Sequence, residues 1–427
     1  MELQEMIANL QQNSSFPVFS EIYGSSETAL ARQKKRYMCA IKKFHQLFPD
    51  RQDVRIFSAP GRTEIGGNHT DHQRGCVIAG AVNLDAIAMV SFHNDGCIRL
   101  QSEGFDMITI DLEDTGIHPG ERGTSAIIRG IAARFKQLGI YVKGFDAYCT
   151  SDVICGGGIS SSAAFEMLIC TIIDAQYHSE RCSALEMARI GWFAETVYFG
   201  KKCGLLDQTV SSYGGLVGID FSDVENPVVE KIDYDFTKSG YTLCITDTKS
   251  SHEDLTDDYV AIREEMEAIA SYFGKRVLSQ VDEAVFYENI PALRQMTTDR
   301  AIMRAAHFFN ETRRAKEEAE SLKNGDFDTF LQLVNTSGDS SSALLQNLYS
   351  TKDPTKQDLP LAIMVSKRIL GGKGAVRVHG GGFAGTIQAF VPNDLVDRYA
   401  AEMEKIFGVG ACLKLTIRPV GGIEIII

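Results

Sequence analysis

The stretch Gly156–Ala164, GGGISSSAA, constrains the fold of this chain more than any other. It runs straight into Phe165, Leu168, Ile169, Ile172 and Ile173, apolar residues at the spacing of a helix with one buried face. A glycine-rich turn therefore opens an amphipathic helix. Glycines let backbone N–H groups approach an anion closely, and the unpaired N–H groups of a first helical turn, together with the helix dipole, favour phosphate there. The hydroxyls of Ser160, Ser161 and Ser162 can cap the helix, donate to phosphate oxygens or ligate a hard cation. No lysine follows as in GxxxxGK[ST], and no GxGxxG with an acidic ribose-binder is present, so Walker-type and dinucleotide-binding folds are disfavoured. Alone, such a segment is equally compatible with a tight capped loop that binds nothing.

The flanking sequence mixes strand and helix signals in irregular order, which favours an α+β class over a strictly alternating one. Ala81–Val90 is largely apolar and Asn94-Asp95-Gly96 reads as a turn before Cys97–Gln101, so a β-hairpin is expected. Ile127, Ile128, Ile131, Phe135 and Leu138 repeat at helical spacing, with Gly139 placed as a left-handed cap. Ser183 and Glu186 form a capping-box pattern opening a helix through Trp192 and Glu195. Arg377–Val391 reads as strand, glycine turn, strand, and Leu413–Ile417 and Ile423–Ile427 as further strands.

At 427 residues two domains are expected. The net charge of −13 argues against a nucleic-acid partner. The ten cysteines include no pair at metal or redox spacing and read as reduced thiols, and no apolar run is long enough for a membrane span, so a cytoplasmic location without a membrane partner is expected.

Four more segments join the loop. Gly158-Ile159-Ser160-Ser161-Ser162-Ala163 resembles the PxxxGLxSSA motif of the galactokinase, homoserine kinase, mevalonate kinase and phosphomevalonate kinase (GHMP) superfamily. Ala59-Pro60-Gly61-Arg62 and His69-Thr70-Asp71 sit at the spacing of the galactokinase signature PGRVNLIGEHTDY. Cys203–Gln208 is similar to its CGIMDQ segment, His252, Tyr259 and Arg263 to its HxLxxxxYxxR pattern, and Gly380–Gly385 to its GGGFGG run. The resemblance implies a two-domain GHMP kinase fold, with an N-terminal ribosomal-protein-S5-domain-2-like domain and a C-terminal ferredoxin-like domain. Residues 1–225 would be the sugar- and ATP-binding domain and 226–427 the second, with the active site between them. It implies an ATP-dependent sugar 1-kinase using Mg2+, whose partners are a small-molecule sugar and ATP.

In that family pattern Asp207 stands beside the anomeric hydroxyl and Arg62 stabilises charge developing on its oxygen. Ser162 and Glu195 hold Mg2+, and Gly156, Gly157, Gly158, Ser160, Ser161 and Ser162 cradle the nucleotide. Asn68, His69, Asp71, Gly204 and Tyr259 bind the sugar. Phosphoryl transfer needs these three provisions: charge neutralisation, alignment of the acceptor and a place for its proton.

The pattern also departs from the family. Asn68 replaces the glutamate that faces the C6 hydroxyl, so galacturonate or another C6-modified galactose is an alternative substrate, with Glu64 four residues earlier as a carboxylate that can compensate. His72 replaces tyrosine, His379 threonine and Ala384 glycine, and Thr124 stands where tryptophan is common. A reading from a different class is a non-catalytic sugar and nucleotide sensor; the presence of Ser161, Ser162, Ala163 and Asp207 weighs against it.

Overall fold

The computed structural model describes residues 3–11, 17–154, 158–201, 203–250 and 255–426. Its strands are β1 Arg55–Gly66, β2 Cys76–Phe92, β3 Cys97–Ser102, β4 Ile108–Asp111, β5 Phe145–Ser151, β6 Leu216–Asp220, β7 Val228–Ile232, β8 Tyr241–Asp247, β9 Ala375–His379, β10 Thr386–Pro392, β11 Cys412–Leu415 and β12 Ile423–Ile425. An eight-stranded sheet runs β12-β1-β2-β5-β3-β4, and the long β2 carries β6 and then β7 beside its first half.

Both faces of this sheet are covered, which is why β1 and β2 are buried along almost their whole length. Alternate residues part to opposite sides. Ile56, Ile87, Met89 and Tyr148 pack on N-terminal helices through Phe19, Tyr37, Ile41 and Phe44. Phe57, Ala88, Val90 and Ala147 pack on helices Thr124–Gln137 and Ser161–Tyr177 through Ile128, Ile131, Leu168 and Ile172.

A four-stranded antiparallel sheet, β11-β8-β10-β9, forms the second unit. Val376, Val378, Ala389 and Val391 face helices Asp358–Leu370 and Val396–Phe407, whereas Ala375 and Phe390 face Phe327 and Phe330 of helix Phe327–Ser340. The family's α+β architecture is thus present. The chain does not divide cleanly at residue 225, since β7 and β12 both belong to the first sheet.

The helix ending before Gly139, the Ser183/Glu186 capping box and the β9–β10 pair match the sequence expectations. The hairpin does not. β2 and β3 exist, but β5 lies between them, antiparallel to β2 and parallel to β3. The 93–96 turn wraps the start of β5: His93 N–H bonds Gly144 O at 3.1 Å and Gly96 N–H bonds Lys143 O at 2.9 Å. Gly144 makes this possible, because a Cβ there would lie 2.4 Å from Cys97 O. Among the described residues the cysteines are free thiols and no helix is long and apolar enough to cross a membrane.

Asp85 ties the layers together. Its fully buried carboxylate accepts from Arg36 Nη1 at 2.6 Å, Tyr23 Oη at 2.6 Å, Ser58 Oγ and Arg418 Nη1 at 3.2 Å. Burial pushes this carboxyl up, but the two guanidinium charges and the hydroxyl donors outweigh it and hold it below the usual carboxylate range. A depressed folded-state value adds stability that is present above the unfolded value, about 3.9, and lost as pH falls through the folded one. Asp85→Asn should cost about 3–5 kcal/mol in urea denaturation at pH 7, because it leaves two buried guanidinium groups short of charge. The variant should also show less of the loss of stability that wild type undergoes below about pH 4.

Candidate active site

The site begins with a backbone contact. Gly61 has no side chain, and a Cβ there would lie 2.7 Å from Ile159 O. This close approach lets Arg62 N–H donate to Ile159 O at 3.0 Å, binding β1 to the glycine-serine loop. The β1–β2 register is irregular between Pro60 and Arg62, as is common where a strand re-aims a functional side chain. Arg62 then reaches Asp207, Nε at 2.7 Å and Nη2 at 2.6 Å from Oδ1, while its Nη1 bonds the Gly158 carbonyl.

Asp207 lies in the first turn of helix Leu206–Tyr213. Ser160, in left-handed backbone with φ 56°, does not cap its own helix; its hydroxyl donates to Asp207 Oδ2. Burial pushes the Asp207 carboxyl up, but the Arg62 charge and the bonds from Ser160 and Arg62 outweigh it and keep it below the ordinary range. The Asp207 side chain is still 30% exposed and Arg62 12%, so the pair is reachable from solvent.

The third glycine run reaches the loop through His379. Its Nε2 pairs with Thr63 Oγ1 at 3.0 Å, its Nδ1 with Thr386 Oγ1 at 2.9 Å, and a Cβ on Gly158 would sit 3.0 Å from Nδ1. Gly380, Gly382, Phe383 and Gly385 adopt positive φ, and Ala384 does not, which explains why a methyl is tolerated there.

The expected sugar residues meet the same run. His69 Nε2 bonds Gly381 O at 2.8 Å, and Tyr259 Oη donates to Gly382 O at 2.9 Å with its ring edge-on to Phe383. Asp71 is flanked by Gly204, where a Cβ would stand 3.0 Å from Oδ2. Burial pushes the Asp71 carboxyl up, His69 pulls it down, and Glu64 and Asp207 add upward pushes. Asn68 does not face this space as expected. It is fully buried, with Nδ2 donating to Glu64 Oε1 at 2.9 Å and Gly380 O at 2.8 Å and Oδ1 accepting from Asn347 Nδ2 at 3.0 Å.

On the other side of the loop, a cavity of about 450 Å3 is lined by Ser161, Ser162, Glu166, Glu195, Thr124 and Phe199. Glu195 belongs to a helical segment that widens to π geometry, Ala194–Phe199. Its carboxylate accepts from Lys201 Nζ at 2.7 Å, Cys203 Sγ at 3.0 Å and Gln208 Nε2 at 2.8 Å. Gln208 also donates to Glu166 at 2.8 Å, bridging two buried acids. Burial and then the Glu195 charge push Glu166 up to about 8. Glu166 and Lys201 are not singled out by the sequence reading, which names Gln208 only as the end of the CGIMDQ-like segment; an acid inside the otherwise apolar run after the loop is the available signal for Glu166. Gly156, Gly157 and His252 lie outside the described residues.

A family model described as "Galactokinase galactose-binding signature" matches residues 42–92, and one described as "GHMP kinases N terminal domain" matches residues 126–215. The chain is 30% identical over 376 residues to a galactokinase of Actinobacillus pleuropneumoniae serotype 3, covering 85% of this chain and 91% of that one. The chain belongs to the galactokinase family. A second family member, from Bacillus subtilis, is 27% identical over 367 residues, 83% of this chain and 90% of the other. The fold matches the crystal structure of Lactococcus lactis galactokinase complexed with galactose, with TM-score 0.77 and 21% identity over 90% of this chain and 98% of that one. The Methanococcus jannaschii mevalonate kinase structure matches with TM-score 0.62 and 15% identity over 86% and 98%.

His72 and His379, the two histidines that depart from the galactokinase pattern, should be electrically silent. Burial, then Arg62 and Arg377, lower His379 well below its ordinary value, and burial, then His69, takes His72 to about 3. Their ring-proton NMR signals are expected to stay fixed between about pH 8 and 5, whereas an unperturbed imidazole titrates near 6.5; an inflection near that value for His379 would contradict its placement.

Proposed function

We propose that this protein transfers the γ-phosphoryl group of ATP to the anomeric hydroxyl of galactose, giving galactose 1-phosphate and ADP. The observation that carries this reading is the Arg62–Asp207 pair, fixed by the glycine-serine loop and still partly open to solvent, in a chain of the galactokinase family. In this reading residues 1–225 supply most of the sugar and ATP contacts. The later residues supply Tyr259 and the third glycine run.

The acceptor hydroxyl donates to Asp207, which orients its oxygen lone pair toward the phosphorus. As the new O–P bond forms and the β–γ bridge bond breaks, the hydroxyl proton acidifies and passes to Asp207. Because Asp207 is held below the ordinary carboxylate range, it is a weak base and takes that proton late. Its larger contribution is alignment. Arg62 stabilises negative charge on the sugar oxygen. Asp71 accepts from ring hydroxyls, with Gly204 leaving room beside it, and His69 and Tyr259 form the wall that the third glycine run holds in place. Gly156, Gly157, Gly158, Ser161 and Ser162 surround the phosphates at the helix N-terminus, while Ser160 serves Asp207.

The donor set suits Mg2+. Ser162 Oγ and the Glu195 carboxylate are hard oxygens on one cavity, and Glu166 Oε1 beside them is buried with no partner among the described residues. Mg2+ held by Ser162 and Glu195 would neutralise phosphate charge. A C6 carboxylate on the sugar is disfavoured, because Glu64 and Asp71 already place negative charge nearby and Arg377 is taken up by Glu64, Ile65 and Val378.

ADP release should be seen with Mg·ATP and galactose, and Asp207→Ala should lower kcat by about 10²–10⁴-fold with galactose binding retained in calorimetry. Sugar binding without turnover in the unsubstituted protein would replace the kinase with a sensor.

A further inference from the structure

Helix Ser161–Tyr177 carries the glycine-serine loop at its start and, about 20 Å away along its axis, a second cluster of reactive side chains at its end. Asp174 is buried in the last turn and His178 is the capping residue. Arg181 then turns the chain with φ 61°, and Cys182 comes back to the same spot. One ligand atom from each of Asp174, His178 and Cys182 lies within 4.8 Å of the other two. The reaction proposed above uses none of them.

Hydrogen bonding accounts for only part of this convergence. His178 Nδ1 stands 3.0 Å from Asp174 Oδ1 and 3.4 Å from Cys182 Sγ. A ring nitrogen offers one proton or one lone pair, so it serves one of these neighbours and leaves the other beside it unserved. A metal ion serves both. With Zn–N about 2.0 Å, Zn–S about 2.3 Å and tetrahedral angles, nitrogen and sulfur stand about 3.5 Å apart, and nitrogen and carboxylate oxygen about 3.3 Å. The two separations in the protein are close to these tetrahedral edges.

The surroundings suit an outer shell. Cys182 N–H donates to Asp174 Oδ1 at 2.9 Å, and the half-exposed Arg181 reaches Oδ2 at 3.4 Å, so the carboxylate is held in orientation from two sides. A cavity of about 330 Å3, lined by Asp174, Arg181, Cys182 and, from the last strand, Ile423 and Glu424, leaves room for water beside the donors.

We propose that Asp174, His178 and Cys182 form a binding site for a Zn2+-class ion, distinct from the Mg2+ position, with water as the fourth ligand. One oxygen, one nitrogen and one sulfur suit a borderline-soft ion, whereas Mg2+ selects oxygens alone. On binding, the Cys182 thiol gives its proton to solvent and its sulfur bonds the metal as thiolate. The ion clasps the end of the helix that the glycine-serine loop opens and pins the connection to helix Ala184–Phe193.

The test titrates Co2+, a spectroscopic stand-in for Zn2+, into the chelator-treated full chain with a non-thiol reductant and excess Mg2+ to fill hard-oxygen positions. One equivalent should give a near-ultraviolet sulfur-to-cobalt charge-transfer band that Zn2+ bleaches. Cys182→Ser should abolish that band. His178→Gln should weaken Co2+ affinity by more than about tenfold, since loss of even an outer-shell partner costs 10–100-fold. Absence of the band in the unsubstituted protein overturns the proposal, and so does an undiminished band in Cys182→Ser, which places the thiolate elsewhere. If Cys182→Ser fails to fold, His178→Gln at its partly exposed position decides alone, and unchanged affinity there sinks the site.

Discussion

The active site depends on one backbone contact, the approach of Gly61 to Ile159 that side chains elsewhere forbid. Because the contact is made by main chain, Arg62 is delivered to the loop by the sheet itself rather than by a flexible stem. Arg62 then spans three groups, Ile159 through its N–H, Gly158 through one guanidinium nitrogen and Asp207 through two others. A partly exposed ion pair contributes little to stability. Its worth here is geometric, since a planar guanidinium held at both ends fixes the carboxylate direction.

Beneath the signature strand lies a largely buried layer of charge. Glu311 accepts from Ser337 Oγ at 2.5 Å and pairs with Arg314, and although burial pushes it up, His307, Arg314 and Arg377 hold it below its ordinary value. Glu318, about two helical turns further on, is driven well above its ordinary value by burial and by Glu311. Gly66 rests on it, where a Cβ would stand 1.6 Å from Oε2. At Gly66 the signature strand is therefore seated directly against a buried acid.

Local features were legible in the sequence because their causes are local. The Ser183/Glu186 box, the helix stopping at Gly139 and the glycine-serine turn each depend on residues a few positions apart. The hairpin expectation failed because its decisive residue, Gly144, lies some fifty positions beyond the turn it opens. Motif spacing identified Arg62 and Asp207 as partners, but not the orientation of Asn68, whose position is set by Gly380 and Asn347, 312 and 279 residues away. Ser160 was legible as a loop hydroxyl and illegible as a partner of Asp207, since its left-handed backbone turns it away from the cap that was one of its open roles.

The last strand closes the first sheet. β12 covers the free side of β1 at Ile56–Ser58, and Arg418 supplies a charge to Asp85 across 333 residues. During synthesis the first sheet therefore leaves the ribosome with an open strand edge and an under-compensated buried acid. At ~5–20 residues per second, the wait for Arg418 lasts roughly 10–40 s after β6 has emerged. For that interval the nascent chain presents a template for strand addition to its neighbours on the same polysome, and it is then that a chaperone has something to hold.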